Sequence, residues 1–405
     1  MEKFIKLEET NEEEAKEEKP KKEENKIKKE EEPEIKIIKE EETIEEENKG
    51  EDNPINVNED EQIEIKNEDD LEKINVNSDK LEINNLKSNK ILDKLKNLTF
   101  KKLEILTLDD IDLSSLDFLI NNNNFKSLII LELKNNKIKT LDKIKESLLT
   151  ELQFLDLSFN EIESLDGLSE APFKKLQLLV LNNNNIKDIE PIAKGSFTKL
   201  KRLDLSSNKI ESITNLHANK SFECLECLYL NENNIEKIDV LEKDSFKNLK
   251  ELQLNNNKIK ELNVFGKAQF VNLEELLLFS NDISSIEPFS KANFENLKIL
   301  NLSKNKIESI EPLSGCNCKN LEKLYLFDNK ISNIDVFKDK KDLFMNIQVL
   351  DLSFNNIESD ELFLSDDIFK KLKYLKIKGN RLLDNNNEKT MKIYEKYKIK
   401  FDDII

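Results

Sequence analysis

Four cysteines stand in two close pairs, Cys224 with Cys227 and Cys316 with Cys318, and a CxxC followed by a CxC is a donor set of the kind zinc uses. The single histidine, His217 in ITNLHANK, is the one imidazole on offer for general-base work. Glu251 and Glu275 are carboxylates that could be nominated as an acid and base pair. Glycine is too sparse to cradle phosphate: there are six in 405 residues, none clustered, so neither GxGxxG nor a P-loop is present. Each of these groups does chemistry only if the chain sets it beside a second group, so the elements that position them decide the matter.

Those elements repeat. The pattern LxxLxLxxNxI recurs with its first Leu at Leu103, Leu128, Leu152 and onward to Leu321 and Leu372, Ile347 filling one slot, and the twelve units lie 24 to 26 residues apart. Period and consensus together identify the chain as a member of the leucine-rich-repeat proteins. That implies an α/β solenoid, a horseshoe with a parallel concave sheet and short helical or 3-10 convex segments. Within LxxLxL the side chains alternate, so Leu179 and Leu181 share one strand face while Val180 takes the other. The Leu face must be the core, and no unit can bury it alone.

Asn136, Asn160, Asn184 and their successors through Asn380 fall where each strand ends. A buried turn there leaves backbone groups unpaired, and an amide side chain carries both the donors and the acceptors to satisfy them. Three residues before the first Leu, Phe recurs from Phe100 to Phe369, with Leu149 and Cys318 in two units; ten of the 22 Phe are spent on this one stacked core column.

This frame disposes of the candidate chemistry. The two cysteine pairs are four repeats apart, on the order of 19 Å at about 4.8 Å per strand, so one metal cannot bridge them. His217 falls on the convex side with no partner, and glutamates on adjacent strands are commonplace without catalysis. The chain is expected to be no enzyme and to hold no cofactor or metal.

Residues 1–70 are expected to form a disordered acidic tail. They carry 13 Lys against 29 Asp or Glu, a net of −16 of the chain's −19, and their few apolar residues cannot offset the entropy of ordering. Residues 71–102 read as an N-terminal cap: LEKINVNSDKL, from Leu71 to Leu81, fits the template as a degenerate unit with Asp79 at the Asn position, and SNKILDKLKNL reads as an amphipathic helix. Residues 103–383 hold the twelve repeats. Residues 384–405 form a C-terminal cap, with a helix from about Glu388 to Tyr397 and a strand at Ile399 to Phe401. The opening MEKFIKLEETNEEE lacks the apolar stretch of a secretion signal, and no run approaches the length of a membrane span. No basic stripe interleaved with aromatics speaks for nucleic acid. A cytoplasmic monomer that binds neither membrane nor nucleic acid is expected.

After the Asn, units continue as IKDIEPI, ISSIEPF and IESIEPL, at Ile186, Ile283 and Ile307. This NxIxxIxxL pattern, over roughly residues 100–383, resembles the subclass found in a regulatory subunit of protein phosphatase 1 and in bacterial internalins. The resemblance implies a binding scaffold without catalytic activity, and KIKF at Lys398–Phe401 fits a loose phosphatase-docking pattern.

If Leu and Asn specify the scaffold, partner choice falls to the strand face. Tyr229, Leu277, Phe279, Tyr325 and Phe327 are expected there as exposed apolar groups across units six to ten, beside Glu251 and Glu275. The competing reading is that scattered exposed apolar groups are ordinary and that Phe beside the ladder Asn, as at Phe159 and Phe354, helps pack the turn. The chain is therefore read as a scaffold for a partner protein or, alternatively, as a regulatory subunit of a Ser/Thr phosphatase.

Overall fold

The computed structural model describes residues 65–397, apart from 219–221, 243–245, 269, 360, 365–367 and 384–387. The acidic segment up to residue 64, the strand expected at 399–401 and the KIKF string lie outside the described residues.

Thirteen parallel strands form one sheet in chain order. They are β1 (Lys80–Asn84), β2 (Ile105–Asp109), β3 (Ile130–Glu132), β4 (Phe154–Asp156), β5 (Leu178–Val180), β6 (Arg202–Asp204) and β7 (Cys227–Tyr229). The series continues through β8 (Glu251–Gln253), β9 (Glu275–Leu277), β10 (Ile299–Asn301), β11 (Lys323–Tyr325), β12 (Val349–Asp351) and β13 (Tyr374–Lys376). Register is constant, Leu131 facing Leu155 and Leu155 facing Leu179, because any slip would turn a buried Leu to the open side. Between strands the chain returns through one-turn 3-10 segments and short helices, so the expected α/β leucine-rich-repeat architecture is the one observed.

Each unit leaves its strand through a residue in the left-handed region, such as Asn135 at φ 55°, Asn183 at φ 56° and Asn256 at φ 54°. Asn tolerates this conformation. The next residue is the ladder Asn. Asn257 Nδ2 donates to the carbonyls of Leu230 (2.9 Å), Leu254 (3.1 Å) and Asn255 (3.3 Å), and its Oδ1 accepts from the Ile235 N–H at 2.9 Å. The three carbonyls have second donors: Asn233 Nδ2 reaches Leu230, Asn281 Nδ2 reaches Leu254, and the Glu232 N–H reaches Asn255. The Ile235 N–H is the group that depends on Asn257. Asn257→Leu should therefore cost about 1 to 3 kcal/mol, the penalty for one stranded buried donor, rather than a multiple of it. Equilibrium chemical denaturation measures this, and an unchanged midpoint would remove the ladder's stabilising role.

The Phe column is buried throughout, from Phe100 to Phe369. A second apolar column runs behind it through Phe118, Ile144, Leu168, Ile192, Leu216, Leu241, Phe265, Phe289, Leu313, Phe337 and Phe363. Where the two columns are both aromatic they interlock, Phe289 meeting Phe294 edge to face at 5.3 Å and Phe337 meeting Phe344 at 4.8 Å.

At the N-terminal end, two expectations change. Residues 65–70 are not all tail: Ile65 and Asp70 are buried, and Asn67 caps a 3-10 helix over Glu68–Lys73 by accepting from the Asp69 and Asp70 N–H groups. The degenerate unit is also out of register by seven residues. Its strand is KLEIN, not the INV of LEKINVNSDKL, because Leu81 and Ile83 must face Leu106 and Leu108 of β2. The helix expected from SNKILDKLKNL forms as α1 (Lys90–Asn97), burying Ile91 and Leu95. At the far end a helix spans Glu388–Tyr397 with Ile393 buried.

Candidate functional site on the strand face

On each strand the outward residues alternate with fully buried leucines, and β9 shows the pattern: Glu275 and Leu277 are half-buried on either side of buried Leu276. Parallel register then lines up equivalent positions in rows about 4.8 Å apart.

Of the expected site residues, Leu277, Phe279, Tyr325 and Phe327 are half-buried, not freely exposed. Tyr229 is a correction: it is only 9% exposed. The Arg202 guanidinium lies over its ring, 4.6 Å from the centroid, and its hydroxyl donates to Glu251. Burial and that hydrogen bond raise the phenol's pKa well above its usual value. Tyr229 and Glu251 thus brace each other and are unavailable as a loose aromatic anchor. Glu251 and Glu275 are paired in register on β8 and β9.

The turn phenylalanines are partly open. Phe159 is 51% exposed and Phe354 44% exposed, both at positive φ, where a bulky side chain is unfavourable. Phe354 packs edge to face on Phe327 at 5.4 Å, and Tyr374, which opens β13, is 64% exposed. The aromatic patch therefore extends from β9 to the last strand. A second patch was also overlooked: Ile105, Ile130, Phe154 and Leu178 are consecutive partners across β2 to β5, a half-buried apolar row that ends at Arg202. Reading across units in phase places Ile130, Phe154, Leu178 and Arg202 in one row, but half-burial of the row is a property of the folded sheet.

Beside that row, Asp109 is nearly buried; desolvation raises its pKa to about 6, with Glu132 and Asp156 adding to the rise and Lys134, 3.5 Å away, opposing it. A carboxyl whose folded pKa is raised binds its proton more tightly in the fold than in the unfolded chain. Its contribution to stability is therefore best below the ordinary value of 3.8 and declines as pH rises through about 6. Asp109→Asn should remove this component, so the gain in stability of variant over parent should be larger at about pH 7 than at about pH 4 in denaturant titrations. An equal difference at both pH values would contradict it.

The candidate metal and catalytic groups are not brought together. Cys224 and Cys227 open β7, whereas Cys316 and Cys318 are buried in the connection between β10 and β11. Burial and Glu251 push the Cys227 thiol up to about 11. The Cys318 hydrogen bond and burial push the Cys316 thiol higher still. Both are poor thiolate ligands. Among the described residues no group of three or more His, Cys, Asp or Glu is arranged to hold a metal, and no helix is long and apolar enough to cross a membrane. His217 lies in the 3-10 segment Thr214–Ala218.

Comparisons with known proteins agree with this geometry. Leucine-rich-repeat family models match residues 271–331 and 345–360, and a two-copy leucine-rich-repeat model matches 174–216 and 225–267. Among solved structures, an internalin from Listeria monocytogenes is similar with a TM-score of 0.61 at 23% identity, covering 77% of this chain and 83% of the internalin. A leucine-rich-repeat protein of Leptospira interrogans has a TM-score of 0.59 at 25% identity, covering 74% of this chain and 78% of its own. No curated protein matches by sequence. The chain is a leucine-rich-repeat protein with internalin-like structural neighbours.

Proposed function

We propose that the chain is a non-catalytic scaffold that recognises a partner protein on its strand face, through Leu277, Phe279, Tyr325 and Phe327 with Glu251 and Glu275 alongside. Leucine-rich-repeat folds are generally protein-interaction scaffolds, which supports the class. The observation that carries the site is the run of half-buried and exposed apolar side chains over β9 to β13, ending in Phe354 and Tyr374. Aromatic groups set in rows on a rigid sheet lose little entropy on binding and supply most of the energy at protein interfaces. Tyr229 is excluded from the set, since its ring and hydroxyl are already engaged.

Affinity capture from native lysate tests this, comparing the full chain, a form lacking residues 1–60 and Phe279→Ala with Phe327→Ala. The double variant should lose the specifically retained protein, because two half-buried anchors at about 1 to 2 kcal/mol each amount to more than tenfold in affinity. Undiminished capture by a folded double variant would overturn the site. The alternative, a regulatory subunit of a Ser/Thr phosphatase, calls for a stripe of acids and aromatics, which Glu251 and Glu275 with Tyr325 and Phe327 would supply. In that reading the retained protein is a Ser/Thr phosphatase.

A further inference from the structure

Resting on the protein-binding reading, we propose that the end of the strand face over β11 to β13 selects an acidic peptide segment of the partner, one carrying an aromatic or aliphatic anchor. The proposal comes from lysines that make no ion pair among the described residues and stand around partly exposed aromatics.

Lys323 and Lys376 project from the strand face, with Lys378 and Lys304 just beyond the strand ends. None of the four makes an ion pair among the described residues. Elsewhere lysines are routinely matched from one unit to the next, as Lys250 with Glu226 at 2.7 Å and Lys298 with Glu274 at 2.6 Å. Of the acids near the patch, Asp351 is buried and accepts from the Ser353 N–H at 3.0 Å, Asp328 is exposed, and Glu275 acts on Tyr325 from β9, so the four lysines outnumber them in a chain of net charge −19.

The aromatic side of the patch is built at a cost. Phe354 holds φ 54°, in a turn position that other units fill with Asn135, Asn183 or Asn256. A bulky residue kept there, and left 44% exposed, is not explained by the turn. Room for it is kept by Gly379 at φ 68°, where an added Cβ would come within 2.8 Å of the Phe354 ring. Lys378 in turn sets its ammonium 5.7 Å from the same ring. Apolar anchors ringed by unpaired cations match a peptide that buries one apolar side chain and places carboxylates on either side of it.

A random peptide library displayed on phage, selected on the immobilised full chain, tests this without a known partner. Enriched peptides should combine Asp or Glu with Phe, Trp or Leu, and their affinity, followed by fluorescence polarisation, should weaken as salt is raised. Lys376→Glu with Lys378→Glu reverses one exposed and one half-buried charge, the second lying over the Phe354 ring, and should lower that affinity by about tenfold or more. Phe354→Asn, which suits the turn, should lower it as well. Enrichment without acidic bias, or peptides indifferent to the charge reversal, would overturn the proposal. So would an oligothymidylate that displaces the peptides at lower concentration than they displace themselves. Peptides lost on Phe279→Ala with Phe327→Ala but untouched by charge reversal would sink this proposal while sparing the broader one. No enrichment above blank beads would sink both.

Discussion

Phe265→Ala should lower the unfolding free energy by about 3 to 5 kcal/mol, the upper range for truncating a buried aromatic. Phe265 is fully buried in the 3-10 segment Asn263–Gly266, and its ring lies 5.3 Å from Phe270, 5.5 Å from Phe289 and 5.7 Å from Phe294. Those partners belong to the neighbouring parts of both columns, and Phe289 and Phe294 also meet each other. No small shift can refill a hole walled on three sides by rings that already constrain one another. By contrast Phe222 touches the column through a single stacked contact with Phe246 at 5.8 Å, so truncating it should cost less. In a repeat array each unit leans on its neighbours, so the damage should spread to β8, β9 and β10 as faster amide exchange, with β3 and β4 little affected. A loss below about 1 kcal/mol would show that the two columns are not mechanically joined there.

Gly167→Ala should be nearly as severe for the opposite reason. A Cβ at Gly167 would sit 1.9 Å from the Leu141 carbonyl oxygen and 2.8 Å from its carbon, and both are backbone atoms of the preceding unit. That oxygen accepts from the Ile144 N–H at 2.9 Å, so it cannot retreat without loosening the adjoining turn. One methyl group therefore wedges two units apart. Overpacking of this sort typically costs about 1 to 3 kcal/mol, and here it acts on backbone instead of on a side chain able to change rotamer. Thermal unfolding of the variant should show a clearly lower midpoint, and an unchanged one would mean the segment Asp166–Glu170 is free to slide.

Most of the fold was legible because repetition amplifies weak signals. One LxxLxL is ambiguous; twelve in phase define strand, facing and register together, and β2 to β13 fall where the leucines put them. The ladder Asn could be assigned for the same reason. What failed was local. LEKINVNSDKL alternates as well as KLEIN does, and only pairing of Leu81 and Ile83 with Leu106 and Leu108 chooses between them. The second core column was hard to see because Phe, Leu, Ile and Phe again alternate there without a constant residue type.

The proposed binding surface was legible only as a face. Phase puts Leu277, Phe279, Tyr325 and Phe327 off the leucine face, where they are half-buried, but it could not tell that Arg202, one strand away, lies over Tyr229. Nor does a one-dimensional pattern reveal that Phe354 stands open while Phe327 supports it. Exposure depends on which side chains meet across strands, and that is set by neighbours some two dozen residues distant.

The positive φ at Phe159 and Phe354 has a bearing on any attempt to idealise this protein. Averaging the units into one standard repeat would write Asn into both turns, and the resulting array should tolerate more heat. It would also lose the two places where the natural chain accepts an unfavourable backbone to hold a ring outward, and with Phe354 a side chain of the proposed peptide surface.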